Sequence, residues 1–367
     1  MKRCAVIGMG LLGSQHAERL YHHETTQIVA VCDMKLEKAK SWAEGKNVAC
    51  YDNFNEMFSK EQLDLVVVAT QDPYHKEPLL AACEAKVPYV ISEKPLTTRL
   101  DDALEVAVAA KKSGTVIKVL FPNRFYPLDQ AIRLLLCNGY IGEPQYGEMR
   151  MDDSIDVPLS LWGKDSKNFS RISSPAFFLL SHSVDLLSFY FAPRKVVKVY
   201  AVGKQGTIGS EVDYMDSFLT YDNGMVIRLK TEWTKRMDTL VENYVQFTAE
   251  KGGVSFNKTP GFQCEQGLRI VIDGGKELAE QAANLLDAHG IHAKIQVYGE
   301  TPTYALVLKA SEDNDFDWNH GVCLYADSFD GAEPELSPVT TLEGGIEQVR
   351  VVEALLNSAK TGKEVVL

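Results

Sequence analysis

Residues 2–13, KRCAVIGMGLLG, decide the fold. A short apolar run ends in three glycines with the spacing GxGxxG: Gly8, Gly10 and Gly13. After a strand, the first glycine allows a tight turn, the second lets the backbone approach a pyrophosphate, and the third lets helix and strand pack closely. The following helix, with Leu11 and Leu12 at its start, offers N–H donors and partial positive charge to an anion. This stretch predicts a dinucleotide-binding βαβ unit.

A carboxylate follows the second predicted strand. QIVAVCD ends at Asp33, 20 residues after Gly13, where a carboxylate binds the adenosine ribose diol and repels a 2′-phosphate. The predicted cofactor is therefore NAD, and Thr70, which follows the next apolar run, joins the cofactor-binding set. A helix N-cap is the alternative for Asp33, and Lys35 is close enough to weaken the preference for NAD.

The rest of the chain shows two kinds of hydrophobic pattern. Short apolar runs alternate with helical patterns up to VIKVLF, which is typical of a parallel sheet buried on both faces. Residues 1–121 are therefore predicted to be an α/β domain, a Rossmann fold with a doubly wound parallel sheet. Longer alternating runs follow, with turns predicted at Asn223-Gly224 and Gly252-Gly253. Residues 122–367 are predicted to be a substrate-binding α+β domain on a largely antiparallel open sheet.

Composition narrows the function classes. The 367 residues carry 38 Lys plus Arg against 50 Asp plus Glu, a net charge of −12, which disfavours nucleic acid and anionic lipid as partners. No window near 20 residues is uninterruptedly apolar, so no membrane span is expected. The seven cysteines are scattered, with no CxxC pair or Cys/His cluster, so reduced thiols and no metal site are expected. The N-terminus lacks a secretory pattern, and a cytoplasmic protein is predicted.

Seven motifs carry a family resemblance: GMGLLG, VCD, ATQDPYH, VISEKPL, NRFYP, NGYIGEP and the closing SAKTGKEVVL. Together they resemble the Gfo/Idh/MocA oxidoreductase family over residues 1–200 and the last twenty. The resemblance implies an N-terminal Rossmann domain and a C-terminal α/β domain whose open sheet often forms oligomer contacts. A homo-oligomer through the C-terminal sheet is therefore expected. Residues 255–340 align little with the family.

The resemblance assigns roles to three motifs. In VISEKPL, Glu93 is placed near the cofactor, and Lys94 is implied to reach the nicotinamide ribose and the reacting hydroxyl, where it stabilises charge or relays a proton. A surface lysine at a strand end is the alternative. His75 in ATQDPYH is cofactor-adjacent or structural. Arg124 in NRFYP lies near the family's substrate cleft, or forms an interdomain ion pair.

A helical stripe departs from the family pattern DxGxHxxD. His182 and Asp185 match this pattern, whereas Phe178 replaces its first aspartate and Leu180 its glycine. His182 remains able to act as general base with Lys94, although a satisfied helix histidine is the alternative. An aromatic ring at position 178 suits stacking on the apolar face of a pyranose or an aglycone. Loss of activity is a third interpretation.

The stretch between residues 150 and 174 combines polar groups with an aromatic ring, as sugar sites do. Asp156 and Trp162 are therefore candidate substrate contacts, or members of an exposed acidic loop. The sequence favours an NAD-dependent oxidoreductase that oxidises a secondary hydroxyl of a sugar or glycoside, with the glucoside 3-hydroxyl as one candidate. The alternatives are a non-catalytic NAD-binding sensor or accessory protein, and an enzyme that uses bound NAD transiently for elimination or epimerisation.

Overall fold

The computed structural model describes residues 1–163, 169–259, 266–299, 302–310, 314, 316–331 and 337–367. The chain folds into two compact units. The first contains residues Met1–Pro122 and Asp317–Arg350, and the second contains Asn123–Phe316 and Val351–Leu367. The α/β and largely antiparallel sheets described below confirm the predicted fold class.

The elements are numbered in chain order. The strands are β1 (Lys2–Ile7), β2 (Thr26–Cys32), β3 (Ala49–Tyr51), β4 (Leu65–Val68), β5 (Tyr89–Glu93), β6 (Val116–Leu120), β7 (Pro144–Ser154), β8 (Val196–Lys204), β9 (Tyr214–Tyr221), β10 (Val226–Lys235), β11 (Val241–Ala249), β12 (Gly252–Asn257), β13 (Gly267–Ile272), β14 (Lys294–Tyr298), β15 (Thr303–Lys309), β16 (Thr340–Thr341) and β17 (Val365–Val366). The α-helices are α1 (Leu11–Tyr21), α2 (Leu36–Ala43), α3 (Phe54–Lys60), α4 (Lys76–Glu84), α5 (Leu100–Ser113), α6 (Pro127–Cys137), α7 (Phe169–Ile172), α8 (Ser181–Phe191), α9 (Gly275–Asp287), α10 (Gly321–Asp327) and α11 (Leu342–Thr361). Short 3-10 turns lie at Asp72–Tyr74, Pro122–Phe125 and Trp318–His320, and π-helical turns at Val157–Leu161 and Ala176–Leu180.

The first unit is built on a seven-stranded sheet in the order β16-β6-β5-β4-β1-β2-β3. Strands β1 to β6 pair in parallel, and their order is that of a doubly wound dinucleotide-binding fold. The central strand β4, LVVV, is fully buried because helices cover both faces of such a sheet. The carboxyl ends of β1, β2, β4 and β5 lie side by side at one edge.

A segment far along the chain returns to complete this unit. The predicted domain boundary at residue 121 did not include that segment. Residues Asp317–Arg350 pack with the first unit, where β16 pairs antiparallel with β6 at the edge of the sheet. The buried Tyr325 hydroxyl accepts hydrogen bonds from the N–H groups of Phe121 (3.2 Å) and Thr340 (3.0 Å). These contacts join segments about two hundred residues apart, which local sequence patterns do not reveal.

The second unit is built on a ten-stranded sheet in the order β14-β15-β13-β12-β11-β7-β10-β9-β8-β17. All its pairs are antiparallel except β7 with β10. One face is apolar and buried, with Met149, Leu219 and Leu229 at 0% exposure. Ser358 connects α11 to this sheet, since its Oγ accepts a hydrogen bond from the Ala201 N–H at 2.9 Å.

The two predicted hairpins differ in outcome. The Asn223-Gly224 turn is confirmed, because β9 and β10 pair antiparallel on either side of it. The turn assigned to Gly252-Gly253 was wrong by two residues: Ala249 pairs with Gly252, so Glu250 and Lys251 form the turn. Both glycines belong to β12, and a Cβ at Gly252 would come within 2.2 Å of the Val271 carbonyl oxygen. Close backbone approach, not turn geometry, explains the glycine.

Six cysteines are free, and Cys264 lies outside the described residues. Cys4, Cys32, Cys83 and Cys323 are buried, and burial raises the pKa of the Cys4 and Cys32 thiols to about 12. Within the described ranges, none of the helices has the length and apolar character needed to cross a membrane.

Candidate functional site

The glycine turn between β1 and α1 has the geometry that a bound pyrophosphate requires. Gly8 has φ +94°, which favours glycine, and a Cβ at Gly13 would lie 1.7 Å from the Gly8 carbonyl oxygen. A Cβ at Gly10 would instead enter open space. Gly10 is the N-cap of α1, and its first turn has no acidic residue and no side-chain cap. The backbone donors of Leu11 and Leu12 therefore begin a helix suited to an anion.

Asp33 is fixed against this turn. Its Oδ2 accepts from the Met9 N–H at 2.8 Å, and its Oδ1 accepts from the Lys35 N–H at 2.8 Å. The N-cap of α2 is Lys35, without a side-chain cap, so Asp33 is not the N-cap of that helix. Each carboxylate oxygen keeps further acceptor capacity, so the carboxylate can accept from a ribose diol.

His75 links the loops that follow β4 and β5. The ring is 1% exposed, with Nδ1 2.6 Å from the Pro95 carbonyl oxygen and Nε2 3.0 Å from that of Thr70. Thr70 is partly exposed, and its hydroxyl donates to the Tyr74 carbonyl at 2.9 Å. His75 therefore lies between the backbones of the two loops and can donate to either carbonyl, which fits its structural interpretation, while a place beside the cofactor stays a prediction.

Lys94 follows the carboxyl end of β5 and is 7% exposed. Its N–H donates to Glu93 Oε2 at 3.0 Å, and Glu93 Oε1 lies 2.6 Å from Nε2 of His16 on α1. Burial alone would raise the pKa of Glu93, but the His16 hydrogen bond and the charges of His16 and Lys94 outweigh burial and lower this pKa. Sequence reasoning missed His16, whose only signal is a histidine on the buried face of α1.

All the predicted cofactor residues occur where neighbouring parallel strands end. They follow the carboxyl ends of β1, β2, β4 and β5, the edge at which open α/β sheets bind ligands. The set comprises Gly8, Gly10, Leu11, Leu12, Gly13, Asp33, Thr70, His75, Glu93 and Lys94.

In the second unit, His182 lies in the first turn of α8 and is partly buried. Its Nδ1 is 3.4 Å from Nδ2 of Asn123, an amide that can serve either ring tautomer by turning over. Asp185 is 1% exposed and forms a bidentate pair with Arg124, Nε to Oδ2 at 2.8 Å and Nη2 to Oδ1 at 2.7 Å. This ion pair of Arg124 lies within its own unit and differs from the interdomain pair that was its alternative interpretation, while its place near a substrate cleft stays a prediction. Asn123 was not among the predicted site residues.

Phe178 belongs to a different element from His182 and Asp185. It lies in the π-helical turn before α8, and such a turn changes the register of the helix face. Its ring contacts three aromatic rings at centroid distances of 5.5–5.6 Å: Trp162, Phe169 and Trp233. Trp233 is fully buried and donates from Nε1 to Asp153 at 3.1 Å. We name Trp162, Phe169, Phe178 and Trp233 the aromatic cluster.

The predicted substrate residues therefore have different surroundings. Trp162 and Phe178 meet in the aromatic cluster, whereas Asp156 is exposed and lies 3.5 Å from the Ser154 hydroxyl. Lys94 belongs to the first unit and His182 to the second. In the parts of the chain that the structure describes, no three His, Cys, Asp or Glu residues form a group suited to a metal ion.

The strand order, the glycine turn and Asp33 define a dinucleotide-binding protein of the Rossmann class. The chain belongs to the GFO/IDH/MocA oxidoreductase family. The family model for an oxidoreductase with an NAD-binding Rossmann fold matches residues 2–121, and the model for the GFO/IDH/MocA C-terminal domain matches residues 130–255. The first unit thus carries an NAD-binding Rossmann domain, and the residues present fit that cofactor: open space at Gly10, an uncapped helix start and a positioned carboxylate.

Curated relatives are similar at low identity. The uncharacterized oxidoreductase YrbE of Bacillus subtilis is 26% identical over 226 residues, 60% of this chain and 63% of its own length. The D-glucoside 3-dehydrogenase of Escherichia coli is 26% identical over 270 residues, 69% of this chain and 76% of its own length. The match to the former spans less than two thirds of that relative.

Solved structures share the fold across the whole chain. An inositol dehydrogenase homolog from Azotobacter vinelandii, crystallised with NADH and myo-inositol, has a TM-score of 0.76 at 16% identity. The superposition covers 100% of this chain and 97% of that one. At this identity the likeness establishes the fold.

Proposed function

We propose that the protein is an NAD-dependent dehydrogenase that oxidises a secondary hydroxyl of a sugar or glycoside. The observation that carries the proposal is Lys94, a buried lysine at the carboxyl end of β5 in an NAD-binding domain. The carboxyl edge of a doubly wound sheet is where ligands bind. A relative named D-glucoside 3-dehydrogenase, and a structural neighbour with bound myo-inositol, support a polyhydroxylated substrate.

Oxidation of a carbinol removes a hydride from carbon and a proton from oxygen, and two residues are assigned to the hydroxyl. Lys94, as an ammonium, donates a hydrogen bond to the oxygen and stabilises its developing negative charge. His182, as a neutral imidazole, accepts the proton. The side-chain amide of Asn123, 3.4 Å from Nδ1, helps to orient this imidazole ring.

NAD, when bound, supplies the hydride acceptor. The residues that would hold it are those at the sheet edge: the backbone at Gly10, Leu11 and Leu12 for the pyrophosphate, and Asp33 for the adenosine ribose. The cytoplasm, which holds an NAD pool, is the proposed compartment. Among sugars, the glucoside 3-hydroxyl is the first candidate position, supported by the D-glucoside 3-dehydrogenase relative.

A second candidate function is a non-catalytic NAD-binding sensor or accessory protein. Phe178 favours it, because an apolar ring in the aromatic cluster replaces the family aspartate. A third is an enzyme that uses bound NAD transiently for elimination or epimerisation, in which the substrate would be oxidised and then reduced again.

The three functions separate in one experiment. Purified full-length protein is incubated with NAD and a panel of sugars, polyols and glucosides while NADH absorbance is followed, and products are separated by chromatography. A dehydrogenase accumulates NADH with the oxidised product, and a transient user of NAD converts substrate without net NADH. NAD binding with no conversion of any panel member supports the non-catalytic protein and contradicts the proposal. His182→Ala is the control for background oxidation.

A second copy of the chain is the proposed partner. The face of the second sheet opposite its buried face carries exposed rings of Tyr146 (54%), Tyr200 (40%), Tyr214 (39%) and Phe218 (41%). Tyr200 pairs with Phe218 across β8 and β9, so their side chains lie on the same face. Aromatic side chains are enriched in the surfaces through which proteins associate.

A further inference from the structure

Glu93 connects the strand end that carries Lys94 to the helix that follows the glycine turn. One carboxylate oxygen receives His16 Nε2 at 2.6 Å, and the other receives the Lys94 N–H at 3.0 Å. His16, Glu93 and Lys94 are 6%, 7% and 7% exposed, so water competes little for these bonds. Both carboxylate oxygens therefore hold neighbours in fixed positions.

The hydrogen bonding of His16 argues against a merely space-filling histidine. A carboxylate can only accept hydrogen bonds, so Nε2 of His16 carries a proton and donates this hydrogen bond to Glu93. Nδ1 is buried and has no hydrogen-bond partner among the described residues. Two apolar side chains in place of both His16 and Glu93 would fill the same space with no unsatisfied nitrogen and no buried carboxylate, and such replacements are often neutral or stabilising. A requirement of the site explains why such a pair is present.

The charge of Glu93 depends on His16. The titratable groups that face the carboxylate are His16 from α1 and Lys94 on its own segment. Burial pushes the pKa of Glu93 upward, while the His16 bond and the two charges hold this pKa below its ordinary value. Without His16, burial is opposed only by Lys94, and the carboxyl takes up a proton at a higher pH.

We propose that His16 is a positioning residue for the dehydrogenase reaction: through Glu93 it fixes the backbone of Lys94 and keeps a carboxylate beside this residue. The inference rests on the proposed role of Lys94. It also gives α1, whose first turn is suited to the pyrophosphate, a direct connection to the residue that contacts the substrate oxygen.

The test compares three variants of the full-length enzyme. His16→Leu removes the donor and keeps the apolar volume, His16→Gln keeps an N–H donor, and His22→Leu changes the exposed histidine at the C-cap of the same helix as a control. His16→Leu is expected to lower kcat about tenfold or more, as misplacement of a reacting group does, with KM for NAD little changed. The acid limb of its kcat profile should move to higher pH. His16→Gln should restore most of kcat, and His22→Leu should match the wild type.

Lys94→Ala separates failure of this inference from failure of the proposed function. If Lys94→Ala is inactive while His16→Leu keeps wild-type kcat and acid limb, the positioning role is overturned and the dehydrogenase stands. An active Lys94→Ala enzyme would contradict the proposed role of Lys94 and, with that role, this inference.

A measurement that needs no substrate tests the inference even when a variant is inactive. Infrared difference spectra, with Glu93→Gln identifying the Glu93 band, follow protonation of this carboxyl against pH in wild type, His16→Gln and His16→Leu. Protonation at higher pH in His16→Leu supports the inference, and unchanged protonation overturns it. If His16→Leu does not fold, Glu93→Gln is the deciding variant: a kcat at least about tenfold below that of the wild type, with KM for NAD little changed, supports the inference, and a wild-type kcat overturns it.

Discussion

At the scale of single residues, Asp33 shows how a backbone turn selects a cofactor. The Met9 and Lys35 N–H groups hold its carboxylate at the end of β2, so its charge stays in one place. We predict that NAD binds at least several-fold tighter than NADP and that Asp33→Ser narrows the ratio of the two Kd values by several-fold, or about 1 kcal/mol. Fluorescence titration with both cofactors measures this ratio.

Two controls separate charge from geometry at this position. Asp33→Asn removes the charge and keeps an acceptor oxygen, so it should behave as Asp33→Ser does. Lys35→Gln keeps the carboxylate and removes an exposed cation, so NADP should gain nothing. Tighter binding of NADP than NAD by the unaltered protein would show that Asp33 does not face the 2′ position.

Lys94 is predicted to serve chemistry and not architecture. In Lys94→Ala the main-chain N–H still donates to Glu93, so the melting temperature and the Kd for NAD should change little. Turnover should fall by about 10²-fold or more, the scale of a positioned acid–base group. Steady-state kinetics and calorimetry are the measurements, with the exposed Lys111→Ala as control. Undiminished turnover would remove Lys94 from the mechanism.

At the scale of elements, the π-helical turn before α8 commits Phe178 to packing. The ring contacts Trp162, Phe169 and Trp233, so Phe178→Leu should cost about 1 kcal/mol of stability. Phe178→Asp would place a carboxylate among apolar rings and should cost about 3 kcal/mol. Restoring the family aspartate should therefore lower the melting temperature and not raise turnover. A stable and more active Phe178→Asp enzyme would contradict this.

A buried ionic triad joins three elements of the second unit. Lys258, after β12, contacts Asp129 of α6 at 2.6 Å, and the Tyr190 hydroxyl of α8 donates to the same carboxylate. Burial raises the pKa of Asp129, against the opposing effect of Lys258 and Tyr190. Lys258→Met should cost about 3–5 kcal/mol, because it leaves a buried charge without its counter-ion. Adding Asp129→Asn should restore most of the loss in urea unfolding, and an additive double variant would show that the two do not interact.

The sequence predicted those elements whose signals are local. The GxGxxG turn, the apolar strands and the helix Leu100–Ser113 are each readable within one short window. It did not reveal the His16–Glu93 pair or the Lys258–Asp129 pair, whose members are 77 and 129 residues apart. Phe178 was visible as a departure from the family pattern, but its partners were not, because tertiary packing and the π-helical turn decide what an aromatic side chain contacts.

At the scale of the whole molecule, both units depend on segments distant in sequence. Residues Asp317–Arg350 complete the first unit, and the last strand, β17, pairs with β8 in the second. The helix α11 runs through the point at which the chain passes from one unit to the other. The predicted domain boundary at residue 121 follows from a local change in the sequence pattern. The assignment of Asp317–Arg350 to the first unit follows instead from strand pairing at the sheet edge and from burial, which only the folded chain shows.

The outer face of the second sheet gives the last prediction. Exposed Tyr200 and Phe218 lie beside an ion-pair ladder in which Arg228 contacts Asp216 at 2.6 Å and Glu148 at 3.6 Å. A second copy covering this face would bury the rings and keep the charges paired. Phe218→Lys should therefore lower the mass measured by light scattering to that of a single chain, because an unpaired cation opposes burial. Val108→Lys, on an even more exposed position of α5, should leave the mass unchanged. A wild-type protein that is monomeric at micromolar concentration would contradict the proposed partner, and a Phe218→Lys variant that keeps its oligomer would place the contact elsewhere.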